Sequence, residues 1–239
     1  MARSDVRLYA TALIITALIF SSLYTINLIL SQKREDSVTQ RMDEIIEDFE
    51  EIESTYYLIN YINATPQTCG ALIDSLNDME GRLWKLDGRI REYRKMIKDF
   101  SSDDFYIQEK KRLNRREIIH LSMLGKVKQE CGYNQTVILY FYGECEKNQK
   151  CEDQGFVLTY INLKIDQEIM IFSFDADRNV SAVNALMKVY NVTEFPCVVI
   201  EGHTHCGMHD NEEMTRLLCE YSPQLSICAP PINETKHET

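Results

Sequence analysis

Three spacings of apolar residues succeed one another along the chain. From Tyr9 to Leu30 apolar sequence is nearly unbroken, with Thr, Ser and Asn as its polar interruptions. A run of about 20 such residues suits a membrane span and exceeds the ~7–15-residue core of a cleaved signal peptide. The pattern predicts an uncleaved signal anchor. From Ser37 to Ile59, Met42, Ile45, Ile46, Phe49, Ile52, Tyr56 and Ile59 form one stripe of an amphipathic helix, which breaks at Asn63-Ala-Thr-Pro66. Then Cys69, Leu72, Leu76, Met79, Leu83, Leu86, Ile90, Tyr93, Ile97 and Phe100 recur alternately three and four apart, the mark of a coiled-coil seam. After a turn at Ser101–Asp104, a second helical segment, Phe105–Glu130, carries Ile107, Leu113, Ile118, Leu121, Leu124 and Val127. At 1.5 Å per residue the arms are ~48 and ~39 Å long, matched for an antiparallel hairpin. Its open end would bring Cys69 and Cys131 together, and a disulfide is expected there.

Beyond Cys131 the period shortens. Val137–Tyr142, Ile169–Phe174 and Cys197–Ile200 read as strands, and Glu152–Lys164, Ser181–Tyr190 and Asn211–Tyr221 as helices. Glu201-Gly202 turns the third strand back on His203–Met208. A two-residue turn there sets Cys197 opposite Cys206, close enough for a cross-strand bridge. Cys219 and Cys228 remain as a pair that would pin the C-terminal tail.

Composition narrows the setting. The 239 residues are 44% hydrophobic, carry a net charge of −11 and have a pI near 5.0. That balance argues against nucleic-acid binding, which needs clustered Lys and Arg. Much of the acid is local, in Glu35–Glu53, where a solvated helix face explains it. None of the eight cysteines lies in the apolar N-terminal stretch, and five N-x-S/T sequons accompany them, at Asn63, Asn134, Asn179, Asn191 and Asn233. Flanking charge leaves orientation open, since Arg3 and Arg7 face Lys33 and Arg34. The cysteines and sequons place the C-terminal bulk on an oxidising, extracytoplasmic face of a cell membrane.

The candidate chemistry lies at Thr136–Cys151, TVILYFYGECEKNQKC, where a strand ends in a glycine and two cysteines with five residues between them. Further on, FDAD…LMKVYNVTEFPCVVIEG is similar to the part of thioredoxins where a helix ending in Tyr-x-Val leads to a cis-proline. The order βαβα, β-hairpin, α over about residues 134–221 resembles the thioredoxin-like superfamily. The resemblance implies a strand–helix junction at which a helix N-terminus stabilises a reactive thiolate. It assigns Cys145 as the attacking thiol, Cys151 as the resolving one, and Pro196 as the residue that shapes the substrate groove. The sequence departs from the family in having C-x5-C for C-x2-C and no Trp before Cys145. The loop can still close if Glu146–Lys150 is a turn, and the alternative is a structural disulfide on an inactive module. Lys147 and Lys150 would lower a thiol pKa while Glu144 and Glu146 would raise it, so local charge decides little. A second alternative lets Cys197, after the proline, exchange with the pair as a relay.

The cluster His203, His205, Cys206, His209 invites a metal reading, but strand alternation sets Cys206 across from the two histidines, so no tetrahedral set converges. Nothing marks a cofactor. The expected fold class is an α/β thioredoxin-like domain preceded by an N-terminal transmembrane helix and an all-α antiparallel coiled-coil stalk. The expected divisions are 1–33 cytoplasmic tip and anchor, 34–131 stalk, 132–222 thioredoxin-like domain and 223–239 polar tail. The expected activity is thiol–disulfide exchange with protein substrates. The competing expectation is a non-catalytic module that binds a protein partner, with coiled-coil association possible in either case.

Overall fold

The fold is that of a computed structural model, which describes residues 12–33, 65–97, 99–143 and 149–229, with single positions at 9, 36, 54, 57 and 61. Cys145, Asn63, Asn233 and most of the amphipathic stripe before Asn63 lie outside the described residues. Helix α1, Ala12–Lys33, is long and apolar enough to cross a membrane. Two of its hydroxyls bond its own backbone, Thr16 Oγ1 donating to the Ala12 carbonyl at 2.9 Å and Ser22 Oγ to that of Ile19 at 2.9 Å. In hydrocarbon such polar groups must be satisfied internally, and these are.

Two long helices follow. Helix α2, Pro66–Arg94, starts at a capping box in which Thr65 and Thr68 satisfy each other's backbone N–H groups. Helix α3, Asp104–Cys131, is capped by the Asp103 carboxylate on Tyr106 N–H and stops at Gly132, whose φ of 66° suits a residue without Cβ. The α2 seam expected from spacing, Leu72 through Tyr93, is buried. Cys69 and Cys131 are joined at the open end of the hairpin, with 5.6 Å between Cα atoms.

The sheet has the order β2-β1-β3-β4. Strand β1, Thr136–Tyr142, leads through α4, Gln149–Lys164, to β2, Ile169–Asp175, which lies parallel to it. Helix α5, Ser181–Val189, then leads to the antiparallel pair β3, Cys197–Ile200, and β4, His203–Cys206, before α6, Asn211–Tyr221. Side chains alternate across the strands and divide the core. Leu139, Phe141, Phe172, Phe174, Cys197 and Val199 join the hairpin and α5 on one face. Ile138, Tyr140, Val198 and Ile200 join α4 and α6 on the other.

Helices α2 and α3, expected as a stalk, pack against the sheet. One continuous apolar cluster runs from the α2 seam through α3 to the sheet. Helix α3 has a second buried stripe at helical spacing: Lys110, Asn114, Glu117 and His120. Asn114 donates through Nδ2 to the Asp175 carbonyl at 2.8 Å and accepts from Asp175 N–H at 3.1 Å. Glu117 Oε2 accepts from Ser173 N–H at 3.0 Å. These groups alternate along β2, an outer strand, so α3 supplies the partners that a further strand would have supplied. The hairpin therefore belongs to the same folded body as the sheet. The start of the expected tail packs on the domain too. Leu225 is buried in the second cluster, Ser226 is held by Glu168, and Cys219 is bridged to Cys228, so the chain through Ala229 is folded.

In the β3–β4 hairpin Glu201 and Gly202 both have positive φ, 45° and 90°, as a type I′ turn requires. The register sets Cys197 opposite Cys206, where they form the third bridge, and Gly207 N–H donates to the Pro196 carbonyl just beyond it.

Candidate functional site

The described chain reaches Gly143 at the end of β1 and resumes at Gln149 in the first turn of α4. A Cβ on Gly143 would come within 3.0 Å of the Phe195 ring and 3.1 Å of Asp177 Oδ1. A glycine there lets the Phe195–Pro196 segment and the turn after β2 approach without crowding. The Phe195–Pro196 peptide is cis, and Pro196 is buried. The proline expected to shape a groove thus stands beside the strand–helix junction.

Cys151 lies in the first turn of α4 and is a free thiol only 2% exposed. Its Sγ donates to the Gly143 carbonyl at 3.3 Å, and its own carbonyl accepts from the Tyr140 hydroxyl at 2.5 Å. Helix start and strand end are therefore fastened to each other through Cys151. A sulfur so covered is out of direct reach of a large substrate. The other thiol position, Cys145, lies outside the described residues.

Below the junction is a group of charges that the sequence pattern did not reveal. Lys110 Nζ lies 3.2 Å from Asp87 Oδ1 and donates to the Tyr142 hydroxyl at 3.1 Å. Burial opposes its charge, but the Tyr142 hydroxyl and the carboxylates of Asp87 and Asp175 outweigh it and hold its pKa above the ordinary lysine value. Burial raises the Tyr142 hydroxyl strongly, so it stays protonated. Burial also raises Asp175, against the pull of Lys110 and Arg178, and Asp175 Oδ1 accepts from Asp177 N–H at 3.1 Å. Glu117 is pushed up as well, by burial and then by Asp87. The signal was present in α3 as Lys110, Asn114 and Glu117, polar residues spaced four and three apart, but a solvated face has the same spacing.

The remaining candidates are distributed as follows. The Cys197–Cys206 bridge belongs to the face that carries the hairpin and α5, whereas Tyr140, which holds Cys151, packs with α4 and α6. A relay between that bridge and Cys151 would have to cross the sheet. His203 stacks on Tyr221 at 4.1 Å, and His209 Nδ1 lies 3.5 Å from Glu213. Cys206 is spent in its disulfide, and among the described residues no three His, Cys, Asp or Glu converge on a point that could hold a metal. Of the sequon asparagines described, Asn134, Asn179 and Asn191 are exposed.

No protein-family model and no curated protein matches the chain. The solved structures to which it is similar are thioredoxin-like and correspond to part of it. One is a thioredoxin-2 described as a component of malaria parasite protein secretion machinery, 16% identical over 36% of this chain and 84% of its own, with a TM-score of 0.32. Another is the germline-specific thioredoxin Deadhead of Drosophila melanogaster, 16% identical over 42% of this chain and 92% of its own, at 0.33. The first thioredoxin domain of mouse protein disulfide-isomerase A4 is 17% identical over 48% and 79%, at 0.28.

Proposed function

We propose that this chain is a single-pass membrane protein whose extracytoplasmic thioredoxin-like domain exchanges disulfides with protein substrates. The observation that carries the proposal is Cys151: a buried free thiol in the first turn of the helix after β1, bonded to the strand end beside a cis-proline. In this reading the Cys145 thiolate attacks one sulfur of a substrate disulfide, and the other substrate sulfur leaves as a thiolate. The Cys151 thiolate then attacks Cys145 Sγ in the mixed disulfide and expels the second substrate thiolate. The substrate gains two electrons, and Cys145–Cys151 is left oxidised. The reverse sequence oxidises a substrate dithiol. Turnover in either direction needs a second dithiol or disulfide protein. Pro196 shapes the groove in which the substrate chain lies.

Cys151→Ser should trap substrates as mixed disulfides on Cys145, visible on non-reducing gels, and Cys145→Ser should trap none. Absence of trapped species in Cys151→Ser would sink the exchange reading. The wide C-x5-C spacing favours a second reading, a non-catalytic module that binds a protein partner. A Cys145–Cys151 bridge with a potential below about −300 mV would support that second reading. The anchor, the compartment and any coiled-coil association belong to the same proposal. Glycans at Asn134, Asn179 or Asn191 are the outcome expected if the domain faces outward.

A further inference from the structure

The polar side chains of α1 differ in what they need from their surroundings. Thr16 and Ser22 donate to carbonyls of their own helix, and Thr25 donates to that of Ser21. A hydroxyl is satisfied that way by rotating, whereas a carboxamide has two N–H donors and a carbonyl acceptor. The Asn27 carboxamide makes no hydrogen bond among the described residues. It also lies where water does not reach. The 22 residues of α1 are about 33 Å long, against a hydrocarbon core about 30 Å thick. Asn27 is six residues, about 9 Å, inside the Lys33 end. The Cα–Cβ bond of a helical residue tilts toward the helix N-terminus, so the amide is aimed deeper into the hydrocarbon and away from the nearer interface.

Asn27 belongs to one face of the helix. Leu13, Thr16, Phe20, Leu23, Asn27 and Leu30 recur alternately three and four apart, the spacing of a left-handed helix pair. All six are exposed. Leucine and phenylalanine are as well placed against lipid tails as against protein, so the apolar positions call for no partner, but the carboxamide does. A carboxamide is its own complement, since it donates through Nδ2 and accepts through Oδ1. Copies of this chain inserted in one orientation carry Asn27 at one depth, and two parallel helices bring the two amides together. We infer that two copies of the chain pair in the membrane through this face of α1, with their Asn27 carboxamides hydrogen-bonded to each other. The inference rests on the reading of α1 as a membrane span and is independent of thiol exchange.

The test uses the full chain in phosphatidylcholine vesicles, carrying a donor or an acceptor dye at its N-terminus. Energy transfer is followed as lipid is added at constant protein, and resistance to alkaline carbonate extraction reports insertion on the same vesicles. The parent should show transfer that falls on dilution as a two-chain equilibrium does. Asn27→Leu should dissociate at roughly tenfold less lipid. Asn27→Gln, which keeps the carboxamide, should hold the parental midpoint. Ser21→Leu, on the face where Ala17, Ser21 and Thr25 stand four apart, should leave it unmoved. A parental midpoint in Asn27→Leu would overturn the inference. So would a midpoint moved by Ser21→Leu and not by Asn27→Leu, which gives the contact to the small-residue face. Chains that carbonate extracts would remove the membrane reading and the pairing with it, whereas chains that insert and show no transfer at the highest protein-to-lipid ratio remove the pairing alone.

Discussion

His120 packs edge-on against Phe172 at 5.2 Å, and its Nε2 has no partner among the described residues. Burial lowers its pKa from 6.5 to about 4. Between those values the unfolded chain takes up a proton that the folded chain refuses. Its contribution to stability is therefore complete above pH 6.5 and shrinks as pH falls toward 4, by up to about 3 kcal/mol. Glu117 acts in the opposite sense. Its folded pKa is raised, so the folded chain is disfavoured as pH climbs from 4.5 through the raised value. The two slopes oppose each other in mildly acidic solution. Replacing His120 with Leu, close in volume and without a titrating group, should raise the urea midpoint at pH 5 relative to pH 7. A variant whose midpoints at the two pH values differ as they do in the parent would show that His120 does not set the acid slope. Neither residue was legible as buried from the sequence. A histidine among charged residues on a long helix reads as a surface or seam residue, and the sheet lying against α3 is what makes it core.

At the scale of elements, α3 decides most. It is packed on both sides, with the α2 seam on one and β2 on the other. The seam was readable because apolar spacing of three and four has one dominant explanation. The stripe toward β2 was not, because it is built from Asn114, Glu117 and Lys110. Their reason to be buried is the unpaired backbone of an outer strand, which no local pattern announces. Asn114→Leu removes the partners of both Asp175 backbone groups. Each orphaned group costs roughly 1–3 kcal/mol, and an uncovered apolar strand edge invites pairing between chains. The expected outcome is a lower unfolding midpoint together with concentration-dependent oligomers in size-exclusion chromatography. An unchanged midpoint would mean that water replaces Asn114 at that edge. The β3–β4 pairing shows the opposite case. A two-residue turn sets the register by counting, and the Cys197–Cys206 opposition follows from it.

For the whole molecule, the three bridges close very different loops. Cys197–Cys206 and Cys219–Cys228 each span nine residues, while Cys69–Cys131 spans 62. Chain-entropy arguments give a loop of that length about 4 kcal/mol. Cys69→Ala with Cys131→Ala should lower stability by an amount of that order, measured by urea unfolding at equal protein concentration. A loss below about 1 kcal/mol would mean that packing along the α2 seam already restrains the unfolded chain. The site was legible in outline, as a strand that ends in cysteines with a proline to come. The charges that hold it arrive from a helix more than 30 residues upstream, and sequence proximity could not connect them.

The position of that bridge also fixes a path for mechanical load. The chain reaches the folded body from the α1 side at Thr65, and Cys69 lies within the first helical turn after it. Cys131 is the last residue of α3, a few positions before the central strand β1. Tension arriving from a membrane would pass through one covalent link into the middle of the sheet. With the bridge intact, α2 and its seam are bypassed and bear almost no force. With it reduced, the same pull would peel α2 from α3 one turn at a time and release Asp87 and Arg94 from the far end of the hairpin.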